Sequence, residues 1–171
     1  SAMRKITNSL EVVVSNYFSN REELDASVSE IYNFHHKVIS EVFNNTSHSV
    51  LSKIQKLFTD LNYFLKHSKS KNHAFVYDQV VGYGELASTT IIAAYLSEKQ
   101  IKNKFLDVRT CIKTDDNYRD ASVDWELTQK NILNSVNPNE ITITQGFLGA
   151  EGINNFTTTL GREGSDYTAA I

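Results

Sequence analysis

Proline and cysteine each occur once in the 171 residues, as Pro138 and Cys111, and glycine is absent from the first 81. A lone cysteine excludes an internal disulfide, and no window approaches the roughly 18 consecutive apolar residues that a membrane span needs. Neither charge sign dominates. Seventeen Lys and Arg against twenty Asp and Glu leave a net charge of -3 and a pI near 5.9. That balance gives no electrostatic reason to expect nucleic acid or an anionic membrane as partner. No charged, apolar, small-residue succession of the signal-peptide kind opens the sequence. The sequons at Asn44, Asn45 and Asn155 follow from an Asn-rich composition, so a reducing, cytoplasmic setting is expected. The length suits one domain with its own core.

What is present divides the chain at its glycines. All seven lie between Gly82 and Gly164. Without glycine or proline, the first 81 residues should be mostly helical. In "SEIYNFHHKVISEVF" Ile31, Phe34, Val38 and Val42 recur at helical spacing, and Leu51, Ile54, Phe58, Leu61 and Leu65 do so in "LSKIQKLFTDLNYFLKH". Both segments read as amphipathic helices of an antiparallel pair, with Ser47 or Ser49 as a capping residue for the second. From Gly82 the pattern changes. "GELASTTIIAAYLSEKQ" predicts a helix buried on most sides. "KNKFLDV" and "EITITQGFLG" are rich in β-branched and aromatic residues and read as strands. Between those strands, "SVDWELTQKNILNSVNP" predicts a helix capped by Asp124 and ended near Pro138. Strand, helix and strand in that order imply a crossover unit in a parallel sheet, hence an α/β class with a helical insertion near the front.

Few residues stand out as chemistry. Adjacent on a helix, His35 and His36 point about 100° apart and cannot chelate one ion, so they read as a surface pair. Cys111 reads as a small buried side chain. The run "KHSKSKNH", residues 66 to 73, reads as a solvated loop. "GREGSD" differs in kind. Gly161 and Gly164 flank Arg162, while Ser165 and Asp166 open a helix through "YTAAI". Either this is an ordinary capped turn, or it is a site where a guanidinium and a helix N-terminus meet a carboxylate. In "GYGEL", Glu85 is placed at the start of an apolar helix, where it either answers the helix dipole or lines a pocket for an ammonium group.

Taken in order, "SAMRKITNSL", "GYGELAS", "FLDVRTCIKTDDNY" and "ITQGFLGAEGINNFTTTLGREGSDYTAAI" resemble the aspartokinases of the amino acid kinase family. The resemblance covers the first ten residues and most of the chain from residue 82, and the segment from about 20 to 80 takes the place of a variable helical insertion. It implies a three-layer α-β-α fold with a mainly parallel sheet. It also implies transfer of the ATP γ-phosphoryl group to the β-carboxylate of L-aspartate, with Mg2+, on the way to lysine, threonine and methionine, by a homo-oligomeric parent enzyme. By the same resemblance Arg162 would clamp the substrate α-carboxylate and Glu85 would receive its α-ammonium group. Ser1 and Thr7 would supply hydroxyls near the reacting end, Phe147 would close the pocket, Ser165 would touch substrate, and Asp166 would organise the catalytic lysine and the transferring phosphoryl.

The sequence departs from the family pattern in three places. Glu163 stands where R-G-G-S-D has a glycine, and its side chain is expected to face solvent. No K-F-G-G-[ST] segment, which holds the ATP phosphates, occurs in the 171 residues. A W-T-D-V-D-G-like nucleotide lobe and regulatory domains would follow Ile171. Ser1 and Ala2 fit the family's S-A-x-x-K-I-T-N-x-L register and are read as native. The expectation is therefore an aspartate-binding lobe, residues 1–171, that by itself binds no nucleotide, holds no metal and transfers no phosphoryl group. The rival readings are another member such as a glutamate kinase, or a non-catalytic binding or assembly module.

Overall fold

The computed structural model describes residues 2, 3, 5–43 and 49–171. Four helices come first: α1 (Ile6–Ser19), α2 (Leu24–Phe43), α3 (Ser49–His67) and α4 (His73–Glu98). Strand β1 (Asn103–Phe105), a 3-10 turn over Val108–Thr110 and β2 (Lys113–Thr114) lead to α5 (Trp125–Ser135). Strands β3 (Ile141–Ile143), β4 (Leu148–Glu151) and β5 (Thr157–Thr159) precede the short α6 (Gly164–Ala170).

The crossover is as the sequence implied. β1 and β3 pair in parallel with Asn103 opposite Ile141, and α5 intervenes between them in the chain. β2 and β4 are also parallel, whereas β4 and β5 form an antiparallel pair with Leu148 opposite Thr159. Helix α4 packs on β1, β3 and β5, while α5 packs on β2 and α6 on β4. This is the three-layer α/β arrangement. Asp124 caps α5 as its position suggested, its carboxylate accepting from Leu127 N.

An apolar core runs through the four helices, with Leu10, Val28, Ile54, Leu61 and Val80 buried in it. The α3 stripe is nearly as expected: Ile54, Phe58, Leu61 and Leu65 are buried, though Leu51 is only partly so. Helix α2 departs. Its buried line is Leu24, Val28, Ile31, His35, Ile39 and Phe43, while Phe34 and Val38 are half-buried and Val42 is exposed. So His35 is not half of a surface pair. Its ring is fully buried near Phe58, and Nδ1 donates to Ile31 O at 2.8 Å. Burial lowers its pKa, so the ring is neutral. Only His36 faces solvent. Ser49 is the first residue of α3, whereas Ser47, Asn44 and Asn45 lie outside the described residues.

A second correction concerns the glycines. Helix α4 begins at His73, not at Gly84, and passes through both Gly82 and Gly84. Two residues apart on a helix point roughly 200° apart, so the pair faces opposite layers. A Cβ at Gly82 would meet Thr157 and Leu148, and one at Gly84 would lie 3.1 Å from Leu10 and from Ala2. The helix tolerates about 1 kcal/mol per glycine because each lets another element approach closely.

Candidate functional site

Glu85 lies near the middle of α4, so the helix dipole has no part in placing it. The side chain is buried, and Oε1 accepts from Ala2 N at 2.7 Å. Thr7, half-buried in the first turn of α1, follows Ile6, which packs against Gly84. Close packing at that glycine therefore brings the N-terminal segment and Glu85 together. Ser1 lies outside the described residues.

The other half of the site follows the sheet. Phe147 sits between β3 and β4 at φ 72, a left-handed conformation, and is half-buried. Its N–H donates to Thr168 Oγ1 in α6 at 2.9 Å, and its carbonyl accepts from Leu160 N at 2.9 Å. Neither of the glycines nearby has room for a side chain. A Cβ at Gly164 would lie 2.8 Å from Phe147 Cδ2, and one at Gly146 would meet Ser165 at 3.0 Å. "GF" and "GS" are thus pressed face to face, which sets Ser165 on the first turn of α6.

Arg162 and Asp166 stand on the outer side of this unit. The Arg162 side chain is 95% exposed, and its contact with Glu163 Oε1, at 3.9 Å, is too long for a hydrogen bond. Its donor fork thus faces solvent, and Asp166 is exposed in the same turn. Glu163 is 74% exposed, as expected, and sits at φ 58. That is the left-handed conformation a glycine would take without penalty.

Gln145 links the two halves. Its Nε2 donates to Thr89 Oγ1 at 2.9 Å, Thr89 Oγ1 donates to Glu85 O at 2.8 Å, and Gln145 Oε1 accepts from Val108 N. Glu85 and the Gly146–Phe147 unit are therefore fixed to one another through a fully buried amide.

Sequence reasoning missed what holds the turn from behind. All three residues of β5 are buried threonines, and each hydroxyl is engaged. Thr157 Oγ1 accepts from Arg109 Nη1 at 3.0 Å, and Thr158 Oγ1 lies 2.8 Å from Thr114 Oγ1. Thr159 Oγ1 donates to Asp78 Oδ1 at 2.8 Å, and Thr159 N and Arg119 N both donate to Asp78 Oδ2 at 2.9 Å. Gln79 holds the Thr157 backbone from both sides, accepting from its N–H and donating to its carbonyl. Asp78 is fully buried, and burial, only partly offset by these hydrogen bonds, pushes its pKa up to about 6. The signal in the sequence is a polar Asp-Gln pair inside the apolar run "FVYDQVVGYG".

Among the described residues no group of three or more His, Cys, Asp or Glu side chains is placed to hold a metal ion, and the sequence has no K-F-G-G loop for the phosphates. Among those residues, too, no helix is long and apolar enough to cross a membrane.

Fold and site together define an α/β lobe in which a strand, a glycine-flanked arginine turn and a short helix face outward beside a buried acid. Residues 12–171 match the amino acid kinase family, and the chain belongs to it. It is 33% identical over 126 residues to the lysine-sensitive aspartokinase 3 of Escherichia coli K12, covering 71% of this chain and 28% of that protein. It is 30% identical over 183 residues to the bifunctional aspartokinase/homoserine dehydrogenase of Buchnera aphidicola, covering 100% of this chain and 22% of the relative. The chain thus spans about a quarter of the length of these relatives. The crystal structure of E. coli aspartokinase III in complex with aspartate and ADP superposes with a TM-score of 0.86 at 28% identity, over 99% of this chain and 38% of that one.

Proposed function

We propose that this chain is the aspartate-binding lobe of an aspartokinase, an enzyme that transfers the ATP γ-phosphoryl group to the β-carboxylate of L-aspartate. The observation that carries the reading is the match over 99% of the chain to a kinase solved with aspartate and ADP. The geometry supports it. Arg162 presents a solvent-facing donor fork suited to bidentate capture of the α-carboxylate. Glu85, on α4 and bound by the N-terminal segment, is an acid for the α-ammonium group. Phe147 supplies a fixed aromatic wall, Ser165 a hydroxyl beside it, and Thr7 a hydroxyl in the first turn of α1, while Ser1, which the resemblance adds, lies outside the described residues. Asp166 has the place of the residue that organises the transferring group. Phosphoryl transfer is catalysed mainly by positioning and charge neutralisation, and this lobe's share is to hold one small zwitterion in a fixed orientation. In this proposal ATP and Mg2+ are held by the family's K-F-G-G segment and nucleotide lobe, which these 171 residues do not contain, in a parent enzyme that works as a homo-oligomer in the cytoplasm.

The test is hydroxylamine trapping of acyl phosphate by the full-length kinase with ATP, Mg2+ and aspartate. Aspartate-dependent hydroxamate is expected, and Arg162→Ala should raise the KM for aspartate at least about 100-fold, the cost of one desolvated charged hydrogen-bond pair. The 171-residue chain alone should give no hydroxamate. Preference for glutamate over aspartate would overturn the substrate assignment.

A further inference from the structure

Asp78 is a fully buried carboxylate that touches none of the groups assigned to the substrate. Its three hydrogen bonds go to two separate segments that meet behind the Gly161–Asp166 turn. One is Thr159, two residues before Gly161, held through both its N–H and its hydroxyl. The other is Arg119, held through its N–H in a left-handed conformation at φ 75. These two segments are also joined directly, since Ala121 N donates to Thr159 O at 3.0 Å. Asp120, next to Arg119, lies so close over Gly161 that a Cβ there would collide with its Oδ1. A left-handed conformation at an arginine is unfavourable for an L-residue and persists only where its surroundings impose it. Here the Asp78 carboxylate and the stacking of the guanidinium on the Tyr77 ring, 4.3 Å from its centroid, do so.

We propose that Asp78 is a positioning residue for substrate recognition: by tying Thr159 and Arg119 to α4, it fixes both the strand that enters the Arg162 turn and the loop that backs Gly161. This rests on the assignment of Arg162 to the substrate carboxylate. The same helix carries Glu85, seven residues or about two turns on, so Asp78 sets the distance between the two charges that would grip one zwitterion. Neither β5 nor the 119–121 loop has another carboxylate among its hydrogen-bond partners in the described residues. An uncharged side chain at position 78 therefore leaves backbone donors without an acceptor of equal strength.

The test is steady-state kinetics of the full-length kinase carrying Asp78→Asn or Thr159→Val, with Arg162→Ala alongside and active sites titrated. Asp78→Asn keeps the shape but turns an amide N–H toward existing donors. Thr159→Val removes a single hydroxyl, and it keeps the question answerable if the Asp78 variant does not fold. The expected result is a rise in the KM for aspartate of at least tenfold for Asp78→Asn and three- to tenfold for Thr159→Val, with the KM for ATP unchanged. A merely structural role would lower the fraction of active sites and leave the KM for aspartate within twofold of wild type, which would overturn the proposal. If Arg162→Ala also leaves that KM unchanged, the aspartate assignment falls and this inference with it. If Arg162→Ala raises it and neither other variant does, only the positioning role is lost.

Discussion

The helical half and the sheet-bearing half of this molecule are held together by different forces. Through α1 to α4 the interior is aliphatic and aromatic, and side chains such as Leu10, Val13, Ile54 and Leu61 are wholly removed from water. Beyond α4 the apolar cluster shrinks to Val108, Ile112, Leu148 and Leu160, packed with Leu86 of α4. The remaining buried positions there are largely polar: Thr114, Thr128, Gln145, Glu151 and the three threonines of β5. Apolar burial is non-directional and tolerates an insertion of variable sequence. Hydrogen bonds to buried groups are directional, and they fix the aim of the turn that carries Arg162. Around the candidate site, the protein uses the more exacting force.

The largest effect that would sharpen this contrast lies in the helical half. Leu61→Ala should cost about 2–5 kcal/mol by removing buried methyl groups and leaving a cavity, with no dependence on pH between 4 and 7. Urea denaturation at each pH measures it. A loss under 1 kcal/mol would mean that the helices rely on something other than apolar packing.

Next in size is a pH effect confined to the polar half. With its pKa pushed up to about 6 by burial, Asp78 still holds a proton in the folded state that the unfolded chain releases near pH 4. Its contribution to stability should therefore fall as pH rises from about 4 to 6 and stay level above, by at most about 3 kcal/mol. The destabilisation caused by Asp78→Asn, read from urea midpoints, should accordingly be smaller at pH 7 than at pH 4. Glu151 should show the opposite sign. Burial raises its pKa, but the N–H groups of Ile153, Asn154 and Phe156 outweigh this and hold the carboxyl below its ordinary range. Its contribution is present above the ordinary carboxylate pKa and lost as pH falls through the lowered one, so Glu151→Gln should cost more at pH 7 than at pH 3. Identical costs of Glu151→Gln at both pH values would remove carboxylate hydrogen bonding at Glu151 from the account of this half.

The smallest effect tests the turn itself. Glu163→Gly should stabilise the chain by about 1 kcal/mol, because glycine adopts φ 58 without the steric penalty of a Cβ. Calorimetric melting decides it, and a lower melting temperature would show that the Glu163 side chain contributes to the turn.

Much of this architecture was legible in local patterns. Asp124 ahead of α5 and Pro138 beyond it marked that helix, and the β-branched runs on either side marked a parallel crossover. The α3 stripe was also readable, because its apolar residues fall on one face only. In α2 two apolar lines run side by side, so spacing alone favoured Phe34 and Val38 over the line that is buried, which includes His35. Helix α4 was truncated in the reading because glycine is usually a breaker, and nothing local says that two layers press against Gly82 and Gly84. "TTTLGREGSDYTAAI" carried the candidates Arg162, Ser165 and Asp166. That its threonines anchor the turn to Asp78, Gln79 and Arg109 was not visible, since those partners lie 48 to 81 residues away.

By itself the sequence determined the helical front, the crossover and the glycine-flanked arginine turn, because helix periodicity, caps and turn chemistry act over a few residues. Only the tertiary structure decided that Glu85 sits mid-helix against the N-terminal segment, that Gln145 joins it to Phe147, and that Asp78 stands behind Arg162. Those relations depend on close approach between distant segments, and the room for such approach becomes visible only when the layers are packed.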